Sequence, residues 1–595
     1  MPNRLPVTTG PAAEASAQTR SAPSNADIAA IFEEIASLLE LEDQNPFRIR
    51  AYRNAARSVR AFATDIAGLL GSGQALPKLP GIGADLAAKI REIADSGTCA
   101  LRERLRREMP PDLVELLSIP GLGPRRVRHL YDELGIQTLQ QLYAAAKQGR
   151  LSQLHGFGRK MQEALLQAAG SRLDSGRRLL LAEAAPAAEK LLAYLRQAAV
   201  AGEVAVAGSF RRMRDTVGDL DILVEAGEPA AVMRHFLAYG EIAEVRSGGL
   251  ARASVVLRSG LQVDLRSIDP AAYGAALVYF TGSKAHNIAI RRRAQERGLK
   301  LSEYGLFKGE RRIAGRTEAS VYAALGLAPI PPELREDRGE IEAAAQRRLP
   351  HLVERADLKG DLHAHSKASD GSSTLEQMAL AARAAGLEYL AITDHSQRLK
   401  IAHGLDAGAL LRQIEQIDAL NQRLHGITLL KGVEVDILED GELDLADDVL
   451  QRLDLVVGAV HSHFGLPRAR QTRRLLRAIE HRHFTLLAHP CARLIGEREA
   501  LDVDMAAVIH AARERGCALE LNAQPQRMDL PDIHCRQARE QGVPICINSD
   551  AHRSGDFDNL RYAVGQARRG WLEKGDVLNT RPLPELRRFL KQCAA

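Results

Sequence analysis

The chain has 595 residues, 45% of them apolar, 26% charged and 4% aromatic, with a formal net charge of +5. That length exceeds what one hydrophobic core supports, so several domains are expected, with the composition of a soluble globular protein. No apolar run is long enough to span a membrane. Six scattered cysteines (Cys99, Cys491, Cys517, Cys535, Cys546, Cys593) form no Cys-x-x-Cys pair and read as reduced thiols of a cytoplasmic protein. The mild basic excess permits a polyanionic partner without requiring one.

Residues 1–24 are rich in Ala, Ser, Thr and Pro and lack an apolar segment. They read as a disordered tail and not as a secretory signal; an organellar transit peptide has a similar composition. From 25 to 96 the pattern is helical, with Ile28, Ile31, Phe32, Ile35, Leu38 and Leu39 at helical spacing. Leu79-Pro-Gly81-Ile-Gly83 returns as Ile119-Pro-Gly121-Leu-Gly123, and more loosely as Leu154-His-Gly156-Phe-Gly158. Each of these three turns opens a helix, and together they resemble helix-hairpin-helix motifs. Glycines let a backbone approach a phosphate, and a helix N-terminus offers it free N–H groups. Such contacts grip nucleic acid without reading bases. A single copy would read better as an ordinary turn between packed helices; three copies favour the phosphate grip.

Beyond residue 176 strands are expected at 204–207, 219–224 and 262–268. The run Gly208-Ser-Phe-Arg-Arg212, followed by Gly218-Asp-Leu-Asp-Ile-Leu-Val224, reads as the strand around which the chain is organised. Asp219 and Asp221 are two residues apart and so share one strand face. Adjacent carboxylates repel unless a cation lies between them, and Mg²⁺ takes oxygen ligands and keeps phosphates in its shell. Gly208 and Ser209 offer N–H groups and a hydroxyl, and Arg211 and Arg212 offer forked donors suited to phosphate. Asp264, in a second strand-like run, is the candidate third carboxylate of a two-metal site.

Gly208-Ser-Phe-Arg-Arg212 with Gly218-Asp-Leu-Asp221 resembles the nucleotidyltransferase signature of family X DNA polymerases, the relatives of polymerase beta. Tyr279-Phe-Thr-Gly-Ser283 resembles their thumb motif. The resemblance implies that Asp219, Asp221 and Asp264 hold Mg²⁺ or Mn²⁺ and that Ser209, Arg212 and Gly218 contact a deoxynucleoside triphosphate. It further implies that Tyr279, Phe280, Gly282 and Asn287 contact sugar and base, and Arg291 the template strand. Val217 departs from the pattern, which has a hydroxyl residue there. In the first helical unit Arg48, Tyr52 and the turn glycines Gly81, Gly83, Gly121, Gly123, Gly156 and Gly158 become the expected DNA contacts. Lys89 matches the lysine that forms a Schiff base with a baseless sugar. Asp85 stands where the family member has a second lysine, and a carboxylate there favours the charged amine; an exposed helix lysine is the competing reading.

Ala328-Pro-Ile-Pro-Pro332 breaks the pattern, and the charged run after it reads as a linker or a surface helix. From Asp361 onward, polar groups stand at the ends of apolar strands, His363, His365, His395, Glu434, His461, His489, Asp550 and His552, with Asp370 in a Gly-containing loop. Apolar strands alternating with helical stretches, each strand carrying a polar end, describe a β/α barrel with its site on one face. Imidazole with carboxylate suits Mn²⁺, Zn²⁺ or Fe. This half resembles the PHP domain (polymerase and histidinol phosphatase), and all nine residues match its ligand positions, which implies a centre of three ions. Asp394 reads as a group orienting its neighbours, and His403, His425, His463, His481 and His483 have no assigned role.

The expected architecture is multidomain: α-helical helix-hairpin-helix N-terminal domains, an α+β nucleotidyltransferase palm and thumb, and a C-terminal distorted β/α barrel. The expected boundaries are a tail at 1–24, a lyase-like helical domain at 25–96, a fingers-like helical domain at 97–175, the palm at 176–268, the thumb at 269–330, a linker at 331–355 and the PHP domain at 356–595. The expected function is that of a repair polymerase filling short gaps, a monomer acting on gapped or nicked DNA. It is fused to a 3′–5′ exonuclease, 3′-end-processing or baseless-site endonuclease domain. The alternative is a DNA-binding scaffold with weak polymerase activity whose barrel does the main phosphoester work.

Overall fold

A computed structural model describes residues 25–41, 44–62, 66–71, 74–77, 81–108, 113–116, 119, 121–176, 178–198 and 202–593. The expected tail, and Leu79, Pro80 and Pro120 of the repeated turns, lie outside the described residues. The chain divides into two compact units, Met1–Gly176 and Arg177–Ala595.

The described part of the first unit is helical. The helix Asn25–Leu41 turns Ile28, Ile31, Phe32, Ile35, Leu38 and Leu39 inward, and all are buried, as the spacing demands. It packs on Pro46–Ala61, a helix that begins where Pro46 needs no N–H partner and Asn45 accepts from the Phe47 N–H.

The second unit opens with a five-stranded sheet in the order Val204–Val206, Asp219–Glu225, Gln262–Ile268, Arg252–Leu257, Ile242–Gly248. Leu220, Ile222, Leu223 and Val224 are fully buried, while Asp219 and Asp221 are only half-buried. Apolar residues therefore anchor the strand and leave its carboxylates accessible. The last strand in that order escapes a reading by periodicity, because Ile242–Gly248 exposes almost every residue and carries no alternating pattern.

Two helices, Tyr273–Thr281 and Lys284–Glu296, a three-stranded sheet and the helix Glu318–Ala324 follow. The stretch expected as a linker is packed: Leu334, Ile341 and Ala344 are buried in the same apolar cluster as Ala275, Ile290 and Tyr322 of the thumb. Seven parallel strands then run in sequence order from Gly360–Asp361 to Ile545–Asn548. A parallel bridge between Ala364 and Ala551 joins the two ends of this sheet into a barrel.

Candidate active sites and their relatives

Strand pairing assembles the palm site. Asp221 lies opposite Asp264, and Asp219 opposite Gln262, on parallel neighbours, so three carboxylates share one face. Gly208 has φ +61°, and a Cβ there would stand 2.9 Å from Asp221 Oδ2; only glycine allows this approach. That positive φ also ends the extended run. Gly208–Arg211 is one helical turn and not, as expected, part of the aspartate strand. Burial pushes Asp221 up to about 6, with the Asp219 carboxylate adding to it. Asp219 is raised by burial and by Asp264. Asp264 Oδ1 is buried with no hydrogen-bond partner. Crowded carboxylates with raised proton affinity and an orphaned oxygen fit a divalent cation.

Arg212 and Ser209 lie on or beside that turn. Arg212 donates from Nε to Glu336 (3.1 Å) and from Nη1 to the Thr281 carbonyl. Arg211 is not available to phosphate as expected: it forks onto Glu318 at 2.8 and 2.7 Å and donates to Thr281 Oγ1. Buried Arg335 reaches the same carboxylate at 2.7 Å. Burial opposes the charge on Glu318, but the two guanidiniums hold it down at about 2. Val217 is fully buried in the palm core, which accounts for an apolar residue at that position, and Gly218 leads from it into Asp219. Arg266 reaches Asp221 at 3.3 Å and stacks 4.4 Å from the Phe280 ring centre. Arg291 lies 5.3 Å from that of Tyr279. Asn287 donates to the Tyr279 carbonyl at 2.6 Å and keeps its own Oδ1 buried and unpartnered. Gly282, at φ +70°, leaves 3.1 Å between its would-be Cβ and Arg212 Nη1.

In the barrel all nine expected ligands converge. Glu434 is central: His395 Nδ1 is 2.8 Å, His489 Nε2 3.0 Å and His461 Nε2 3.3 Å from its oxygens. His365 Nε2 is 3.1 Å from Asp550, and His363 Nε2 is 3.5 Å from it. Asp370 lies 3.4 Å from both His395 and His552. Three overlapping groups emerge with metal-binding spacing: His365, Asp370, His395 and His552; His363, His365 and Asp550; His395, Glu434 and His461. His363 Nε2, both ring nitrogens of His365, and Nδ1 of His489 are buried without hydrogen-bond partners. Buried imidazole nitrogens without a hydrogen-bond partner, set among carboxylates, fit cations. Burial disfavours ionised Glu434 and Asp550, yet the surrounding imidazoles hold both well below the usual carboxylate range. His489 and Asp550 also adopt φ values of 28° and 53°, backbone strain of the kind found at functional sites.

Several supporting groups escape a reading of the sequence. Buried Glu520 accepts from His363 Nδ1 at 2.7 Å and so turns Nε2 toward the cluster. Asp361 accepts from the His363 and Ser549 amides and ties the two barrel ends together. Arg527 lines the cavity of about 320 Å³ beside seven of these ligands. Glu520 lies mid-strand with no motif around it, and only barrel closure brings it to His363. Asp394, which the sequence already marks as an orienting group, accepts from Ser366, Ser369 and Gln413 and thereby holds the loop that carries Asp370. His463 lies 3.8 Å from Glu439, and His481 pairs with Asp447 at 3.0 Å, both away from the cluster.

In the N-terminal unit Gly81, Gly121 and Gly156 have φ of 74°, 89° and 84°. Gly83 and Gly123 cap the helices Ala84–Ser96 and Pro124–Leu134, and Gly158 precedes Arg159–Gly176. All six glycines are exposed, while Leu122 and Phe157 between them are buried. Arg48 is exposed; Tyr52 is not a surface contact, being 1% exposed and packed edge-on against Phe32. Lys89 pairs with Asp85. Burial pulls its amine down, but Asp85 and Tyr52 outweigh this and leave it above its ordinary value.

A carboxylate triad on a nucleotidyltransferase sheet, beside a histidine–carboxylate barrel, defines a two-site phosphoryl-transfer enzyme. Residues 276–336 match the DNA polymerase beta thumb, 23–99 a helix-hairpin-helix domain, 113–171 a SAM-like helix-hairpin-helix tandem and 361–524 the PHP domain. The chain is 39% identical to the Bacillus subtilis (strain 168) protein described as "DNA polymerase/3′-5′ exonuclease PolX" over 571 residues, 95% of this chain and 99% of the relative. Its barrel is also similar to probable phosphatases. One, of Thermoanaerobacter sp. (strain X514), is 28% identical over 39% of this chain and 94% of its own length. Another, of Acetivibrio thermocellus, is 32% identical over 34% of this chain and 83% of its own length. The chain belongs to the bacterial family X DNA polymerases that carry a C-terminal PHP domain.

Proposed function

We propose that the protein fills short gaps in DNA during repair and that its barrel prepares the 3′ ends which the palm extends. The observation that carries this reading is the parallel register of Asp221 with Asp264, Asp219 lying two residues away on the same face. Asp219, Asp221 and Asp264 would hold Mg²⁺ or Mn²⁺; the nine barrel ligands would hold three ions, of Mn²⁺, Zn²⁺ or Fe. Such ions lower the pKa of an attacking oxygen and neutralise the phosphate it meets.

The chain's own part is positioning and charge. Arg212, Ser209 and Gly218 hold the triphosphate in line with the primer 3′ oxygen. Tyr279, Phe280, Gly282 and Asn287 shape the sugar and base pocket, and Arg291 steadies the template. In the barrel, Glu520 holds His363 in the tautomer that presents Nε2, and Arg527 offers a guanidinium to the scissile phosphate. The glycine turns at 81–83, 121–123 and 156–158, with Arg48, grip the DNA backbone independently of sequence. The protein acts as a monomer on gapped or nicked DNA in the cytoplasm, at the nucleoid. No helix among the described residues is long and apolar enough to cross a membrane.

The test is a gapped duplex ending in a blocked 3′ terminus, supplied with Mn²⁺ and nucleotides. The parent should trim and fill, the Asp264→Ala variant trim only, and the His363→Ala, His365→Ala variant fill only from a clean primer. Extension by the Asp219→Ala, Asp221→Ala variant, or parent-like trimming by the barrel variant, overturns the assignment.

A further inference from the structure

Within the second unit the barrel touches the palm directly behind the triphosphate turn. Met213, at φ 54°, lies against Gly565 of the barrel helix Leu560–Arg569, where an added Cβ would stand 2.5 Å from Met213 Cε. Asp215 pairs with Arg493 of the barrel at 3.2 Å. Met528 and Tyr562, both barrel residues, are buried in the palm's apolar cluster. The loop that follows Arg212 thus has its far wall built by another domain.

At the centre of this contact is Arg569, whose side chain is 1% exposed. Its Nη1 donates to the Arg212 carbonyl and to Glu336 Oε1, both at 2.9 Å, and its Nη2 donates to Asp532 Oδ2 at 2.8 Å. The same Glu336 oxygen accepts from Arg212 Nε at 3.1 Å. Arg338 adds a second guanidinium to Asp532 at 3.0 Å, and Arg568 fixes Glu333 at 2.7 Å. The segment 333–338 is therefore stapled to the barrel on one side and to Arg212 on the other. A guanidinium has five N–H donors in a rigid fork. Glu336 takes Nε and the Thr281 carbonyl takes part of Nη1, which fixes the fork's plane and leaves its remaining donors for a ligand.

We propose that Arg569 is a positioning residue of the polymerase reaction: through Glu336 and the Arg212 carbonyl it sets the orientation in which Arg212 meets the triphosphate. The barrel is then a structural part of the nucleotide site as well as a separate hydrolytic site. This rests on the reading of Arg212 as a triphosphate ligand. Because one Glu336 oxygen accepts from both Arg569 and Arg212, a shift of the first is felt directly by the second.

The test is single-nucleotide gap filling by the full chain, with KM for the nucleotide and kcat measured separately, and with barrel trimming of a 3′ end followed on the same preparations. Arg569→Ala should raise the nucleotide KM about tenfold, the coupling usual between contacting residues, while affinity for gapped DNA and trimming stay at parent values. Glu336→Gln should raise it similarly, and the double variant should be no worse than the worse single one. Arg569→Lys, a point charge that cannot bridge three acceptors, should restore KM only in part. Arg561→Ala, which breaks an exposed barrel–palm pair with Glu189 (2.8 Å), should leave KM unchanged. If Arg569→Ala does not fold, Glu336→Gln decides alone: a raised KM with trimming retained supports the proposal, and an unchanged KM overturns it. An equal KM rise in Arg561→Ala, or additive effects in the double variant, also overturns it. Arg212→Ala separates the two levels. If it leaves KM unchanged, the triphosphate reading fails; if it raises KM while Arg569→Ala and Glu336→Gln do not, only the present proposal fails.

Discussion

The palm and the barrel both gather metal-type donors, with opposite electrostatics. The palm gathers three like charges on a half-exposed strand face, and burial and mutual repulsion raise the proton affinity of Asp219 and Asp221. The barrel mixes imidazoles with carboxylates in a buried cluster, and Glu434 and Asp550 are held well below the carboxylate range. A site of mixed, convergent donors suits permanent ions. The palm's acidic face lacks any offsetting imidazole, whereas the barrel's donors offset one another's charge.

The largest effect should come from exchanging the two sites' failures. Asp264→Ala should bring extension to the detection limit with gapped-DNA binding intact, and His363→Ala with His365→Ala should do so for 3′ trimming. Loss of both activities in either variant would show that the sites are not separate. Retention of metal comes next. After dialysis against a mild chelator, elemental analysis should find about three ions per parent chain, as the three ligand groups suggest. That number should fall in the histidine variant and stay unchanged when Asp219 and Asp221 are replaced. Glu520→Gln keeps the shape of the His363 partner and removes its charge; trimming should drop ~10- to 100-fold, with extension unchanged.

A smaller effect concerns stability. Glu318 is held at about 2 against an ordinary value of 4.5. A depressed carboxyl contributes stability that is present above its unfolded value and is lost as pH falls through the folded one. Over that window the second unit should lose about 3 kcal/mol. Glu318→Gln should remove this pH dependence between about 5 and 2 and destabilise the parent at neutral pH, as followed by urea unfolding. Least of all should be a lyase activity at Lys89. The Asp85 partner keeps the amine protonated, so borohydride trapping on a 5′ deoxyribose phosphate should be weak in the parent. It should rise in Asp85→Asn and vanish in Lys89→Ala; equal trapping in all three would place the amine elsewhere.

Much of both sites can be read from residue types and spacing. The period of two puts Asp219 and Asp221 on one face and Leu220 in the core, and the strand-end histidines mark the mouth of a parallel barrel. The repeated glycines anticipate positive φ at Gly81, Gly121 and Gly156. Arg211 and Arg212, adjacent and chemically identical, could not be told apart, because the difference lies in which carboxylate each meets. Tyr52 is expected beside Arg48 as a DNA contact, yet helix packing turns it inward against Phe32.

The linear chain by itself determined which donors exist and which of them share a strand face or a turn, since local backbone geometry converts spacing into direction. Pairings between distant segments were decided only by the folded chain. Asp264 meets Asp221 because two strands run parallel in one register. Glu520 reaches His363 because the barrel closes. Arg569 reaches Glu336 and the Arg212 carbonyl because two domains press together at Gly565. Such partners are separated by tens to hundreds of residues, and no spacing rule reaches across that distance; packing of apolar cores sets them, and the polar contacts follow from where those cores come to rest.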